Sequence, residues 1–209
     1  MKVKYPRTYH FDFSPGVSSD DKIISSLDSF EGQDVIVTMK MDGENSTIYN
    51  DYYHARSLDS GPHESRSWLK QKQAEIGYLI PSGWRICGEN LYAKHSIEYK
   101  DLKSYFYVFN IWNEHNECLS WDATEEWCKL LTLDLVPVLY SGIFDLKKIK
   151  AIFEGLDSQT QEGIVCRIKN SFEYNDFSQC VAKSVRSNHV QTDQHWMNSK
   201  IVKNELKMS

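Results

Sequence analysis

The sequence predicts an α+β fold whose sheets are largely antiparallel. Two observations carry this. Short β-rich runs occur both in succession and between helical stretches, so there is no regular βαβ repeat. Most gaps between runs are short, and no internal repeat, low-complexity stretch or linker breaks the chain. One domain of 209 residues, with 187–209 as a tail, is therefore expected.

The elements follow in order. Residues 17–30 read as a helix, capped by Ser18 or Ser19, with Asp20 and Asp21 in the first turn. Residues 34–39 are a strand on the run Val35-Ile36-Val37-Thr38, after a Glu31-Gly32 turn. Strand character resumes over 46–49, so a hairpin-like turn is expected around Asp42-Gly43. A helix over 64–76 lies between Gly61-Pro62 and Gly77. Residues 84–91 and 105–112 are strands, 124–133 and 146–153 helices, 163–168 and 179–185 strands again. Residues 192–208 are expected to form a short polar helix.

Composition narrows the function classes. Hydrophobic residues make up 41% and charged residues 25%, as in a soluble globular protein. A chain that coats nucleic acid is usually basic, and this one has a formal net charge of -5. Any nucleic-acid contact is expected to be local, and a small-molecule substrate is equally allowed. The five cysteines include no CxxC pair, which suggests neither a zinc site nor a disulfide framework. They are expected to be small buried residues in a reducing cytoplasm. No apolar run is long enough to cross a membrane, and none follows the first charges, so no signal peptide is expected.

The chemistry starts at Lys40-Met41-Asp42-Gly43-Glu44-Asn45. A lysine ending an apolar strand is mounted rigidly, and its amine becomes a nucleophile where burial or nearby cations disfavour the ammonium. Gly43 would let backbone approach a ligand closely. The same hexapeptide is also compatible with a surface turn and a solvated lysine. Gly88-Glu89-Asn90 places a carboxylate at a strand end, where it accepts from sugar hydroxyls or is simply solvated. The aromatic strand Phe106-Tyr107-Val108-Phe109-Asn110-Ile111-Trp112 packs a core and offers one face to a purine. Glu162-Gly163 opens a strand with an acid that needs a cation if phosphates face it, as Mg²⁺ provides. In Ala182-Lys183-Ser184-Val185-Arg186, Lys183 and Val185 share a face. Lys183 would neutralise phosphate and depress the pKa of Lys40.

In that order these motifs resemble the covalent nucleotidyltransferases, the polynucleotide ligases and mRNA capping enzymes. Asn45, closing the first motif, makes the chain most similar to the RNA ligase 2-like branch. The resemblance runs from about Val35 to Arg186. It implies an ATP-grasp-like ligase adenylation domain and an ATP-dependent RNA ligase. By this resemblance Lys40 attacks the α-phosphorus of ATP and carries AMP. The AMP passes to an RNA 5′-phosphate, and an RNA 3′-hydroxyl then displaces it. Glu89 is implied to hold the ribose, Phe109 to stack on adenine, and Glu162 to bind Mg²⁺, with Mn²⁺ as a substitute. Lys183 is implied to contact the α-phosphate, Arg56 the nucleotide or RNA end, and Asn45 to assist the joining steps.

The chain departs from the family pattern at three places. Asn110 follows Phe109 where relatives have Asp, and Met39 precedes the lysine where some have an acid. Arg186 stands near the position of a second lysine, and is equally compatible with a solvated strand end. Only 26 residues follow Lys183, so no C-terminal OB-fold is expected, which disfavours a minimal DNA ligase or a GTP-dependent capping enzyme; the remaining alternative, a non-catalytic RNA-end-binding relative, would have little need of Lys40, Glu89, Glu162 and Lys183 together. His189 and His195 have no helical metal-pair spacing, and the tail is expected to pack on the core or touch RNA. The implied setting is a monomer in the cytoplasm of a bacterial or phage-infected cell.

Overall fold

The computed structural model describes residues 2–187 and 201–208. Twelve strands and four α-helices among them form two sheets that face each other. In the first sheet the order is β1 (Tyr9–His10), β12 (Val181–Val185), β10 (Gly163–Ile168), β2 (Asp34–Lys40) and β9 (Val138–Ile143). In the second it is β11 (Phe172–Glu173), β7 (Glu117–Cys118), β6 (Phe106–Trp112), β5 (Arg85–Asn90), β3 (Glu44–Ile48) and β4 (Tyr53–Ala55). Pairings are antiparallel except β1 with β12, and β6 with β8 (Asp134–Leu135).

The central strands of each sheet are buried on both faces, and their sequences show why. Val35 and Val37 of β2 pack with Ile164, Cys166 and Ile149 of α3 (Leu146–Glu154), while Ile36 points into the layer between the sheets. A strand covered on both sides reads as an unbroken apolar run, as β2 does. The far face of the second sheet packs Ile48, Ile86, Phe106 and Val108 against α1 (Ser67–Ile76) and α2 (Trp121–Leu131). All five cysteines are buried and unpaired, as expected from their spacing.

Three sequence expectations fail. Residues 17–30 are not helical. Their Ser and Asp side chains take over the local hydrogen bonding: Ser18 N–H donates to Asp21, and Asp28 N–H to Ser26. The backbone there instead pairs across to His10, which bonds Lys22 and Ile24. The polar tail helix is also absent over 201–208, which run extended with bridges to Ala93 and Leu102. The earlier part of that expectation, and His189 and His195, lie outside the described residues. Finally, Asp42-Gly43 is no hairpin. β2 belongs to the first sheet and β3 to the second, so residues 41–43 are the crossover between them. The second α-helix starts earlier than expected, at Trp121, because Ser120 caps it by accepting from Ala123 N–H.

Candidate active site

The crossover decides where the chemistry meets. A cleft of about 950 Å³ is lined from both sheets, and β2 and β3 enter it from opposite sides. The first sheet contributes Lys40, Glu162 and Lys183, and the second contributes Asn45, Glu89 and Phe109. Arg56, exposed in the loop after β4, also lines it. All seven sequence candidates therefore border one cavity.

Close strand packing brings the first three together. Lys40 is the last residue of β2 and lies opposite Gly163, which pairs on its other side with Val185. A Cβ at Gly163 would stand 2.1 Å from the Ser184 carbonyl oxygen, so only glycine fits between the strands. Lys40 Nζ then donates to Glu162 Oε1 at 2.6 Å, with Glu162 wholly buried. Gly43 has a comparable constraint, and it concerns protein rather than ligand. Its Cβ would lie 2.5 Å from the Asn90 carbonyl oxygen. The crossover is thus pressed against β5, while the Gly43 backbone also lines the cleft.

The electrostatics also differ from expectation. Burial works to lower the Lys40 pKa, but Glu162, with Glu89 and Asp42, outweighs it and holds the amine above its ordinary value. The repulsion between the lysines is felt by Lys183 instead, which burial and the Lys40 charge push down to about 8. Lys40 therefore rests as an ammonium paired with Glu162. Burial raises the Glu89 carboxyl to about 8 against the pull of Lys40, with Glu162 and Asp42 reinforcing the rise.

A β-bulge aims Phe109. Cys87 pairs with Asn110 and Gly88 with Val108, so Phe109 is an extra residue on β6. Its ring borders the cleft beside Tyr5, with centroids 5.1 Å apart, whereas Phe106 is wholly buried beneath the sheet. Asn110 turns away into the core, where it accepts from Tyr5 Oη at 2.6 Å and donates to Cys118 Sγ. It does not line the cleft, so its departure from the family's Asp falls on packing. Arg186 does not line it either: its guanidinium donates to the Ser158 carbonyl and to Ser96 Oγ. The second-lysine position is thereby not supplied at the cleft by Arg186. Met39 does line the cleft, and its N–H is taken by the Pro137 carbonyl.

Several lining residues were not singled out from the sequence. Arg167, buried on β10, donates to the carbonyl of Phe109 and to Thr38 Oγ1, and its guanidinium lies 5.3 Å from the Trp121 ring centroid. A lone arginine in the apolar run Gly163-Ile164-Val165-Cys166-Arg167-Ile168 was the available signal. Glu44 and Arg66 form a two-pronged ion pair at 2.5 and 2.6 Å on the wall. Asp42 Oδ2 accepts from Ser96 N, Ser96 Oγ and Ile97 N, so this motif aspartate fixes the loop that carries His95 to the cleft. Tyr5 and Asp21 arrive from the N-terminal segment, which no local pattern predicts.

The described residues hold no cluster of three or more His, Cys, Asp or Glu suited to a metal. The residues do fit a cation shared with phosphate, because Mg²⁺ takes one or two carboxylates and completes its shell with phosphate oxygens and water. Asn45 Oδ1 is buried at the cleft with no hydrogen-bond partner among the described residues, an acceptor suited to a ligand donor.

The RNA ligase family model matches residues 33–185. No curated protein matches the chain. Among solved structures, a Naegleria gruberi RNA ligase mutant with ATP and Mn is 19% identical, with a TM-score of 0.55, over 79% of this chain and 53% of that one. An archaeal ATP-dependent RNA ligase is 16% identical, with a TM-score of 0.61, over 87% and 48%. An Aquifex aeolicus protein assigned as an ATP-dependent DNA ligase is 20% identical, with a TM-score of 0.55, over 87% and 49%. The chain spans about half the length of these neighbours, and at such identities they show a shared fold. The family match covers well over half of the 209 residues and includes all seven candidate positions; the chain belongs to the RNA ligase family.

Proposed function

We propose that the chain is an ATP-dependent RNA ligase that joins 5′-phosphate and 3′-hydroxyl RNA ends through a lysyl-AMP intermediate. The observation that carries this reading is Lys40 paired at 2.6 Å with Glu162 in a cleft that also gathers Glu89, Phe109 and Lys183.

In the first step Lys40 Nζ, having lost its proton, attacks the α-phosphorus of ATP. The N–P bond forms and the α–β bridging bond breaks, with pyrophosphate taking the electron pair. Lys183 faces the phosphates as a cation, Phe109 stacks on the base and Glu89 holds the ribose. The work is mostly positioning and charge neutralisation, as phosphoryl transfer requires. Glu162 would hold a Mg²⁺ or Mn²⁺, which would supply charge neutralisation at the phosphates. Recruiting Glu162 to that task would remove the main partner that keeps Lys40 protonated, so nucleotide binding and activation of the amine are linked. An RNA 5′-phosphate oxygen next attacks the lysyl-AMP phosphorus and frees Lys40. An RNA 3′-hydroxyl then attacks the activated end and releases AMP, with Asn45 and Arg56 contacting the RNA end.

The test is incubation with α-labelled ATP and Mg²⁺, followed by denaturing electrophoresis. Acid-labile label on the wild type and none on Lys40→Ala is expected. No label on the wild type, or equal label on both, would overturn the mechanism. Because the fold neighbours include a protein assigned as a DNA ligase, the same assay is run with GTP, then with nicked RNA against nicked DNA.

A further inference from the structure

Residues 201–208 form a strap across the chain that follows β5. Nearly all of it is exposed, and its one fully buried residue is polar: Asn204 is 1% exposed. A buried amide is retained where each of its groups is used, and here both ends are. Asn204 Nδ2 donates to the Leu91 carbonyl at 2.8 Å, and Asn204 Oδ1 accepts from Tyr99 N–H at 2.9 Å. One side chain thus ties the two ends of the loop between Leu91 and Tyr99. The backbone reinforces the tie: Asn204 N–H donates to the Tyr92 carbonyl, Glu205 N–H to the Tyr99 carbonyl, and Lys94 N–H to the Val202 carbonyl.

The tied loop leads into the cleft. It begins just after Glu89, and its tip brings His95 and Ser96 to the lining. From inside, the loop is held by Asp42, two residues after Lys40, through Ser96 and Ile97. Tyr99, whose N–H Asn204 binds, uses its hydroxyl to accept from Asp42 N–H at 2.9 Å. The path from the strap to the Lys40 crossover therefore runs Asn204, Tyr99, Asp42, with a hydrogen bond at each link.

We propose that Asn204 is a positioning residue for nucleotide binding: by closing the ends of the 91–99 loop it fixes the cleft wall between Glu89 and Asp42. This rests on the proposed function, since the readout is lysyl-AMP formation. Asn204 touches no reacting atom. Its loss lets the loop spread, and the nucleotide must reorder that loop on binding. The cost falls on KM for ATP and leaves kcat nearly unchanged.

The experiment compares wild type, Asn204→Ala, Asn204→Asp and Ile149→Ala. Each is assayed well below its own melting temperature for KM and kcat of lysyl-AMP formation, and by hydrogen exchange over 91–99. Asn204→Ala is expected to raise KM for ATP about tenfold, the loss of roughly one well-made hydrogen bond, and to speed exchange at Tyr99. Asn204→Asp keeps the acceptor for Tyr99 but sets a buried oxygen against the Leu91 carbonyl, so a KM rise at least as large is expected. If Asn204→Ala fails to fold, Asn204→Ser takes its place in the comparison. Ile149→Ala, a core change in α3 behind the other sheet, is expected to lower the melting temperature without moving KM. Faster exchange over 91–99 with an unchanged KM would overturn the proposal, as would an equal KM rise in Ile149→Ala. Absence of label on the wild type would defeat the proposed function instead, and unchanged exchange in Asn204→Ala would still refute the tie.

Discussion

Replacing Glu162 with Gln is expected to make Lys40 a better nucleophile toward a simple electrophile and a worse one toward ATP. The two charges lie 2.6 Å apart, with the Lys40 side chain 23% exposed and the Glu162 side chain 0%. At an effective dielectric of about 20, unit charges at that distance attract by about 6 kcal/mol. Screening at the partly exposed lysine and the burial of both ions leave a smaller net term, about 1.5–3 kcal/mol. Losing that attraction lowers the Lys40 pKa. Its pKa now stands above the ordinary lysine value because Glu162 outweighs burial. Without the Glu162 charge, burial is opposed only by Glu89 and Asp42, and the pKa falls. Competitive acetylation with acetic anhydride over a pH series, read by mass spectrometry at Lys40, measures the midpoint directly. The variant's midpoint is expected to be lower, while transfer from α-labelled ATP falls at least about 100-fold, the scale of a lost charge-stabilising group. An unchanged or higher acetylation midpoint would refute the claim that Glu162 holds the resting lysine protonated.

Phe109→Ala is expected to raise KM for ATP by about 10-fold or more through a lost stacking contact. Phe106→Ala instead costs about 3–5 kcal/mol of stability, seen in thermal or urea unfolding; equal effects on KM would show that the bulge does not select the ring. Gly43→Ala is expected to destabilise by about 1–3 kcal/mol, because its Cβ would meet the Asn90 carbonyl at 2.5 Å. The Glu89 pKa is raised in the folded state to about 8 from 4.5. Its folded form therefore binds the extra proton between those values, and stability of the nucleotide-free protein falls as pH rises from about 4.5 to 8. Glu89→Gln is expected to flatten that slope in melts across the range. Chelation with EDTA is expected to abolish label transfer without lowering the melting temperature of the nucleotide-free protein, since no described residues form a metal cluster of their own.

Local pattern made much of this protein legible. The apolar run of β2, the aromatic run of β6 and the glycine-led run of β10 each impose a strand whatever surrounds them. Lys40 and Glu162 follow from their places at or beside strand ends, and Lys183 from its place within a short strand. Where residue chemistry competed with periodicity, the sequence misled. The Ser- and Asp-rich stretch 17–30 has a helical pattern of apolar residues, but its side chains bond the backbone and His10 takes the rest. Arg167 was passed over because a single charge in a strand does not reveal what it faces, namely the carbonyl of the bulged Phe109.

The sequence by itself determined which chemical groups the protein owns and their order along the chain. Only the tertiary structure decided which of them meet and in what charge state. Residues 41–43 pass between sheets rather than turning a hairpin, and this sets Lys40 and Asn45 on opposite walls of one cleft. The balance at Lys40 between burial and a carboxylate 122 positions away along the chain depends on distance and desolvation. Neither quantity is encoded locally. The same holds for Asn204, an ordinary polar residue in the sequence, which acquires its two partners only when the chain's end folds back across the loop beside Glu89.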